Sequence, residues 1–532
     1  MTRGVARRAS RVGDLVAVAA PSALGAALAF SGLGTRSIWL DEAASVTIAS
    51  QHGAALGAAM AHDGGNMLAY YALLHVLIEV FGRGILVLRT PSAIAATCTV
   101  GLVAVIARHL YDRRVAAVSG VLTAVSLPLV FWGQDARAYA LLVALVTASF
   151  LAFVLLVDRA PDVGISRVTW VGYVAATTLA MYMSFVALLA VAAQLAVLST
   201  HRHRARAVLA GVVATGVLSL PLAVLAHDRG SGQLFWVPPP SPSQIGGILN
   251  AVTSSGFAPN FPLTATSQAL EWVSVALVAA FACAPALGRR RARDEGLQLD
   301  PRTALRRRVL IAWLAVPIAL ALAESAVGQP ISDPRNLLVA LPPVGIVLAA
   351  VTIGGDLGGA RPRGAPSAAF VGWCVVAALV ALRALQLAPS YGVSPENWRA
   401  AVQYVLRDTH PGDCIAFYPE DGRMAFSYYL GTGASARRAP RAVLPAGSWR
   451  ADAPYVERYV SLSPTDLARV SSSCTRLWIV ASHQGQRSGT PGSVAHLERY
   501  HALEAAVGSL YPHRYAAHFG YAAVVDVTVG SR

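Results

Sequence analysis

Long apolar segments joined by short polar connections make up the first 387 residues of the chain. A helix that spans a bilayer needs about 17 to 25 consecutive, mostly apolar residues. The apolar runs near this length lie at 12–32, 88–109, 114–132, 138–157, 168–182, 183–199, 206–226, 269–287, 309–327, 336–354 and 367–387. The pattern therefore predicts a polytopic α-helical membrane protein with about eleven spans.

One further apolar segment, 67–82, is short and carries His75 and Glu79. With the N-terminus in the cytoplasm and this segment left out of the count, the arginine-rich connections all fall on the cytoplasmic side, as the positive-inside rule requires. Those connections lie at 107–114, 159–167, 201–206, 289–308 and 361–363. We therefore expect 67–82 to form an amphipathic helix in the outer interface, within a first external loop at 33–87.

After residue 387 the pattern becomes mixed, and helical spacing alternates with short buried-strand patterns. The predicted order is helix 394–407, strand 412–418, helix 423–430, strand 475–481, helix 493–509 and strand 521–528. Such alternation predicts a small α/β domain on the outer side of the membrane. The chain then divides into a membrane module, 1–387, and an extracytoplasmic α/β domain, 388–532.

Composition and charge agree with the membrane assignment. The chain is 55% hydrophobic and only 13% charged, which excludes an ordinary soluble protein. Its net charge of +15 comes from arginine, because the sequence contains no lysine. These arginines lie in short connections between spans, so they indicate membrane topology and not a nucleic-acid partner. Alanine-rich, lysine-free usage suggests a GC-rich genome and a bacterial plasma membrane.

The acidic pair Asp41 and Glu42, in S-I-W-L-D-E-A, follows the first span on the outer side. Carboxylates at a membrane boundary are suited to proton chemistry or to holding a cation. The alternative is a solvated loop, or a helix N-terminus whose dipole favours acids. Arg89, Arg137 and Arg335 lie at outer ends of spans. Each alone could be a snorkelling interfacial residue, but together they favour an anionic ligand.

Cysteines and metal motifs add little more. Cys414 lies near the start of the predicted strand 412–418, and Cys474 lies just before the predicted strand 475–481. They would form a disulfide if those strands are neighbours, and would otherwise be two free thiols. The chain has no C-x-x-C, H-E-x-x-H or P-loop pattern, so the sequence gives no support for a metal site or for nucleotide hydrolysis.

Several motifs taken together resemble those of integral-membrane glycosyltransferases of the GT-C class. They are W-L-D-E-A, H-D-G-G-N-M-L-A-Y-Y-A-L-L-H with the following L-R-T-P-S-A, L-P-L-V-F-W-G-Q-D-A-R-A-Y, and D-P-R-N-L-L-V-A-L-P-P. Residues 33–345 are most similar to the branch that contains protein O-mannosyltransferases and lipid A aminoarabinose transferases. The H-D-G-G-N-M stretch departs from many relatives, which leaves the acceptor side open.

The resemblance implies a polyprenyl-phosphate sugar as donor and catalysis on the outer face. Asp41 or Glu42 would be the catalytic carboxylate, and Arg137 and Arg335 would bind the donor phosphate or the carboxylates. We expect Asp41 to act as general base in a single displacement that inverts the anomeric centre. Arginine could then replace a divalent metal, so no cofactor is required, although a divalent cation near the acidic pair remains an alternative.

The remaining expectations concern substrates. His62 and Asp63 are candidates for binding acceptor or a cation, and Gln134, Asp135 and Tyr139 are candidates for substrate binding. The donor sugar would be mannose or arabinose, and the acceptor an envelope glycan, lipid or protein. A transporter or lipid flippase with an external ligand-binding domain is the main rival, because intramembrane charges also mark translocation routes. A glycan sensor would leave Asp41 unexplained.

Overall fold

The structure is a computed structural model that describes residues 2–159, 163–199, 204–229, 237, 239–253, 265–294, 301–354, 366–431, 434–449, 464–487, 490–520 and 525–531. The N-terminal module is entirely helical in its described part. Its elements are α1 Thr2–Phe30, α2 Leu40–Ala49, α3 Gly53–His62, α4 Leu68–Phe81, α5 Ile85–Leu110, α6 Arg113–Ala124, α7 Leu127–Gly133, α8 Tyr139–Val157, α9 Arg167–Met183, α10 Ala187–Leu198, α11 Ala205–Leu218, α12 Leu220–Arg229, α13 Pro242–Thr253, α14 Ala265–Asp294, α15 Pro301–Val327, a 3₁₀ helix Pro334–Ala340, α16 Pro342–Thr352 and α17 Pro366–Ser390.

Within the described residues, five helices are long and apolar enough to cross a membrane, and the number rises to eight if each of three bent helix pairs is one span. Each segment predicted from the sequence coincides with a helix or with a bent pair. The polytopic helical class is therefore confirmed. The count of eleven stays a prediction, because α9 and α10 have only 17 and 12 residues.

The first loop folds into three short helices, α2 to α4, between α1 and α5. Helix α4 has 14 residues, too few for a span. It buries Tyr70, Tyr71 and Leu74 on one face and leaves Val80 and Phe81 exposed at its end. Its length and one-sided burial agree with the predicted interfacial helix.

Helix α2 begins with Asp41 and Glu42 in its first turn, where the N-terminal end of the helix dipole favours carboxylates. Packing then encloses this helix. Glu42, Val46 and Ile48 are buried, with α4 on one side and a helix of the C-terminal domain on another. The first loop is therefore part of the packed structure.

The C-terminal part is an α/β domain, as predicted. Its elements are α18 Trp398–Asp408, β1 Cys414–Tyr418, α19 Gly422–Leu430, α20 Ala434–Arg438, β2 Arg441–Leu444, α21 Pro464–Ser473, β3 Arg476–Ala481, α22 Pro491–Leu510, β4 His513–Phe519 and β5 Val525–Ser531. The sheet order is β2-β1-β3-β5-β4, in which β1 pairs parallel with β2 and β3, and β5 pairs antiparallel with β3 and β4.

Strands β2 and β4 were not predicted. Both lie at edges of the sheet, and β4 leaves most of its residues exposed, so neither has the continuous apolar pattern of β1 or β3. The predicted final strand, 521–528, overlaps β5, and its residues 521–524 lie outside the described part.

A disulfide joins Cys414 and Cys474, whose Cα atoms are 5.6 Å apart. The pairing follows from the sheet, because β1 and β3 are parallel neighbours and Cys414 lies opposite Leu477. The bridge therefore fixes the amino ends of the two central strands.

Candidate active site

Three side chains from distant parts of the chain meet at the start of α2. Nη1 of Arg335 lies 2.8 Å from Oδ2 of Asp41, and Nη2 of Arg137 lies 3.7 Å from the same oxygen. Arg137 also donates to the Asp41 carbonyl and to Ser45 Oγ, both at 3.3 Å. The Asp41 side chain is 24% exposed, so this cluster opens to the outside of the fold.

The surroundings of Asp41 set its protonation. Burial raises the pKa of this carboxyl, but the positive charges of Arg137, Arg335 and His483 outweigh burial and leave the pKa below its ordinary value. Asp41 is therefore a carboxylate at neutral pH. A carboxylate beside two guanidinium groups can take a proton while the cations stabilise a nearby anion.

Asp333 holds Arg335 in place. Nε of Arg335 lies 3.2 Å from Oδ1 of Asp333, and the Arg335 backbone N–H donates to the same oxygen at 3.0 Å. Asp333 thus caps the 3₁₀ helix and orients the guanidinium toward Asp41. The motif D-P-R-N places both residues in sequence, but the sequence analysis singled out only the arginine.

Glu42 and Arg89 form a buried ion pair. Their side chains are 0% and 2% exposed, and Arg89 donates to both carboxylate oxygens of Glu42 at 2.7 Å. The remaining guanidinium N–H groups donate to the carbonyls of Leu33, Arg36 and Ser37, so all five donors are used. A catalytic role for Glu42 and phosphate binding by Arg89 therefore stay predictions. The pair holds the chain that leads into α2.

Gln134 and Asp135 are also buried and hydrogen-bonded within the protein, and substrate binding by either residue stays a prediction. The Gln134 amide donates to the carbonyls of Ala29 and Ser31, and so fastens the end of α1. Oδ1 of Asp135 accepts from Nε1 of Trp39 at 3.0 Å. Burial, followed by the charge of Glu42, raises the pKa of Asp135 well above its ordinary value.

Tyr139 and Asp63 lie close to the arginine pair. Cζ of Arg137 is 5.8 Å from the centre of the Tyr139 ring, and that ring packs edge-on against Trp132. Asp63 accepts a hydrogen bond from the Tyr71 hydroxyl at 2.8 Å. His62 is exposed at the end of α3. Substrate binding by Tyr139, His62 and Asp63 stays a prediction.

Comparison with known proteins gives two kinds of match. The profile of a family described as dolichyl-phosphate-mannose-protein mannosyltransferase matches residues 67–227, which is less than half of the chain. No curated protein matches the sequence at a significant level.

The structural matches extend over nearly the whole chain. An apo structure of ArnT from Cupriavidus metallidurans matches with a TM-score of 0.53 and 16% identity, covering 96% of this chain and 97% of ArnT. ArnT bound to undecaprenyl phosphate gives 0.52 and 15% identity over the same shares. The archaeal oligosaccharyltransferase AglB from Archaeoglobus fulgidus, in complex with an inhibitory peptide and a dolichol-phosphate, gives 0.52 and 12% identity over 88% of this chain and 69% of its own. The chain has a GT-C fold.

In this GT-C fold, the C-terminal domain also reaches the cluster around Asp41, and the sequence did not predict this contact. His483 follows β3, and its Nε2 lies 2.6 Å from Oε1 of Glu396. Oε2 of Glu396 accepts from the backbone N–H of Leu40 at 3.0 Å, one residue before Asp41. The only sequence signal for His483 was its position just after a buried strand, where ligand-binding residues of α/β sheets collect.

Among the described residues, no group of three or more His, Cys, Asp or Glu side chains has an arrangement that could hold a metal ion. The positive charge beside Asp41 comes from Arg137 and Arg335.

Proposed function

We propose that the protein is a glycosyltransferase that moves a sugar from a polyprenyl-phosphate donor to a hydroxyl of a cell-envelope acceptor, on the outer face of the bacterial plasma membrane. The observation that carries this proposal is the contact of a partly exposed carboxylate, Asp41, with two arginines at the ends of apolar helices. The polyprenyl carriers in the ArnT and AglB structures support a lipid phosphate as donor. Mannose and arabinose are the donor sugars we favour.

The proposed reaction is a single displacement. Asp41 takes the proton of the acceptor hydroxyl as its oxygen forms a bond to the anomeric carbon. The bond from that carbon to the phosphate oxygen breaks, and its electron pair stays on the polyprenyl phosphate. Arg137 and Arg335 stabilise the charge that gathers there, since donors fixed in advance act most strongly on a developing anion. We propose that these guanidinium groups make a divalent cation unnecessary.

This mechanism predicts inversion. Retention would require a second carboxylate as nucleophile on the donor face, and Glu42 is turned into the protein and saturated by Arg89. Purified protein in lipid nanodiscs, given decaprenyl-phosphate mannose or arabinose with envelope oligosaccharides, should yield a product of the opposite anomeric configuration. NMR coupling constants measure the anomer, and addition of EDTA should leave the rate unchanged. Lipid movement between leaflets without any sugar transfer would favour the flippase.

Replacing Arg335 by Gln should lower both donor affinity and turnover. The variant removes one of two cations from the phosphate and one contact from Asp41, and loss of one such stabilising donor typically costs about 10²- to 10³-fold in kcat. Binding of decaprenyl phosphate and the rate of transfer are the measurements. Arg469→Gln, a surface arginine of the C-terminal domain, is the matched control and should behave as wild type. Unchanged decaprenyl phosphate binding in Arg335→Gln would remove this residue from the phosphate site.

A further inference from the structure

The carboxyl ends of the two parallel central strands of the C-terminal sheet are turned toward the candidate active site. Tyr418 ends β1 and Ala481 ends β3, and the Ser482 N–H donates to the Tyr418 carbonyl at 3.0 Å where the strands finish. Asp421 follows the first strand and His483 the second. Ligands of open α/β sheets bind at this edge, because the loops there converge from neighbouring strands.

The domain is tied to the segment that leads into α2. The Tyr429 hydroxyl accepts from the Ile38 N–H at 2.5 Å, and the Arg399 guanidinium donates to the carbonyls of Thr35 and Gly34. Glu396 adds its bond to the Leu40 N–H. Hydrogen bonds from the C-terminal domain to four residues before Asp41 therefore fix the position of Asp41 relative to the sheet edge.

The backbone conformation of His483 is unusual. Its φ of 57° lies in the left-handed region, which is unfavourable for a residue with a side chain. Residues in such conformations cluster at functional sites. The imidazole is 35% exposed, whereas its partner Glu396 is fully buried. Among the described residues, Glu396 binds the ring through Nε2, which leaves the Nδ1 edge of an imidazolium as a hydrogen-bond donor.

We infer that the C-terminal domain forms the acceptor-binding wall of the catalytic cleft, and that His483, held by Glu396, donates a hydrogen bond to a glycan acceptor. The inference rests on the proposed function. A polyprenyl phosphate is anchored in the bilayer and reaches the arginines at the ends of the membrane helices, whereas His483 approaches Asp41 from the external domain. A sugar ring carries neighbouring hydroxyls, so one can lose its proton to Asp41 while the next accepts from His483.

The charge of His483 gives a pH signature. Burial lowers the pKa of this imidazole, but Glu396, Asp421 and Asp41 face it and together raise the pKa to about 9. The imidazolium is therefore present below about pH 9 and is lost as the pH rises through that value. Acceptor binding should weaken over the same range.

The test uses the full-length protein in nanodiscs, the polyprenyl-phosphate sugar that supports transfer, and a mixture of oligosaccharides released from the cell envelope. His483→Asn keeps a residue that tolerates a left-handed backbone but removes the charge. It should raise the apparent KM for the oligosaccharides by about tenfold or more, the usual effect of losing a charged hydrogen bond. Its affinity for decaprenyl phosphate should equal that of wild type, and the rise in KM near pH 9 should disappear.

Two further variants separate this role from a structural one. Glu396→Gln should move the alkaline rise in KM to lower pH, toward the ordinary pKa of histidine. His518→Asn removes an exposed imidazole, paired with Asp526, from the same domain and should leave KM and the pH profile unchanged.

The outcomes are distinct. Wild-type protein without transfer contradicts the proposed function and removes the basis of the inference. Active wild type with an unaltered KM and pH profile in His483→Asn overturns the inference alone. Weakened decaprenyl phosphate binding in that variant would place His483 on the donor side, and transfer to a serine peptide but not to oligosaccharides would exclude a glycan acceptor.

Discussion

Replacing Asp41 by Asn should lower the rate of sugar transfer by about 10²- to 10⁴-fold, the range expected when a general base is removed. Asparagine has nearly the same shape, and its carbonyl oxygen can still accept from Arg335. What the variant loses is the ability to take the acceptor proton and the negative charge between Arg137 and Arg335. Initial rates of transfer from decaprenyl-phosphate sugar measure the effect.

The pH profile gives an independent check on Asp41. The pKa of this carboxyl is below its ordinary value, so the base is ionised at neutral pH. With saturating acceptor, kcat should therefore fall in acid, as the pH drops through the lowered pKa, whereas the alkaline change expected from His483 is in KM. Binding of decaprenyl phosphate by Asp41→Asn should be retained, which shows that the protein is folded. Glu79→Gln, a half-exposed carboxylate of the first loop, is the matched control. A fully active Asp41→Asn enzyme would exclude Asp41 as the base.

Replacing the neighbouring Glu42 by Gln should act on stability. Removal of one member of a buried ion pair typically costs about 3–5 kcal/mol, because the other charge is left without compensation. Arg89 would remain buried with its three backbone carbonyl partners but without a carboxylate. We expect a clear fall in melting temperature in detergent micelles and a low yield of folded protein, with the same result for Arg89→Met.

Controls for this prediction come from the surface and from the pair itself. Arg469→Gln breaks an exposed ion pair with Asp466 and should leave the melting temperature unchanged. The double variant Glu42→Gln with Arg89→Met should be less destabilised than the sum of the single variants, since neither charge is then left alone. A stable, folded Glu42→Gln protein with lost transfer would instead return Glu42 to a catalytic role.

The contrast between Asp41 and Glu42 explains why the sequence could not choose between them. Successive residues of an α-helix point about 100° apart. One carboxylate of the pair can therefore face the cleft while the other faces the interior. Which one does so depends on how α2 is oriented about its own axis against α4 and α19, and packing sets that orientation. The arginines Arg89, Arg137 and Arg335 pose the same problem, because all three lie at or near the ends of apolar segments, yet Arg89 is buried and Arg335 is partly exposed.

The sequence alone determined the class of the protein, the positions of its apolar helices, the presence of a C-terminal α/β domain and the acidic pair that follows the first apolar helix. These features follow from local pattern and composition. A bilayer requires long apolar helices, and helices and strands each impose their own period on the apolar positions. Only the tertiary structure decided that Asp41 contacts Arg137 and Arg335, that Glu42 forms a buried ion pair with Arg89, and that His483 joins the cluster from the C-terminal domain. Residues separated by hundreds of positions come together through packing between elements, and a single sequence carries no local signal of that packing.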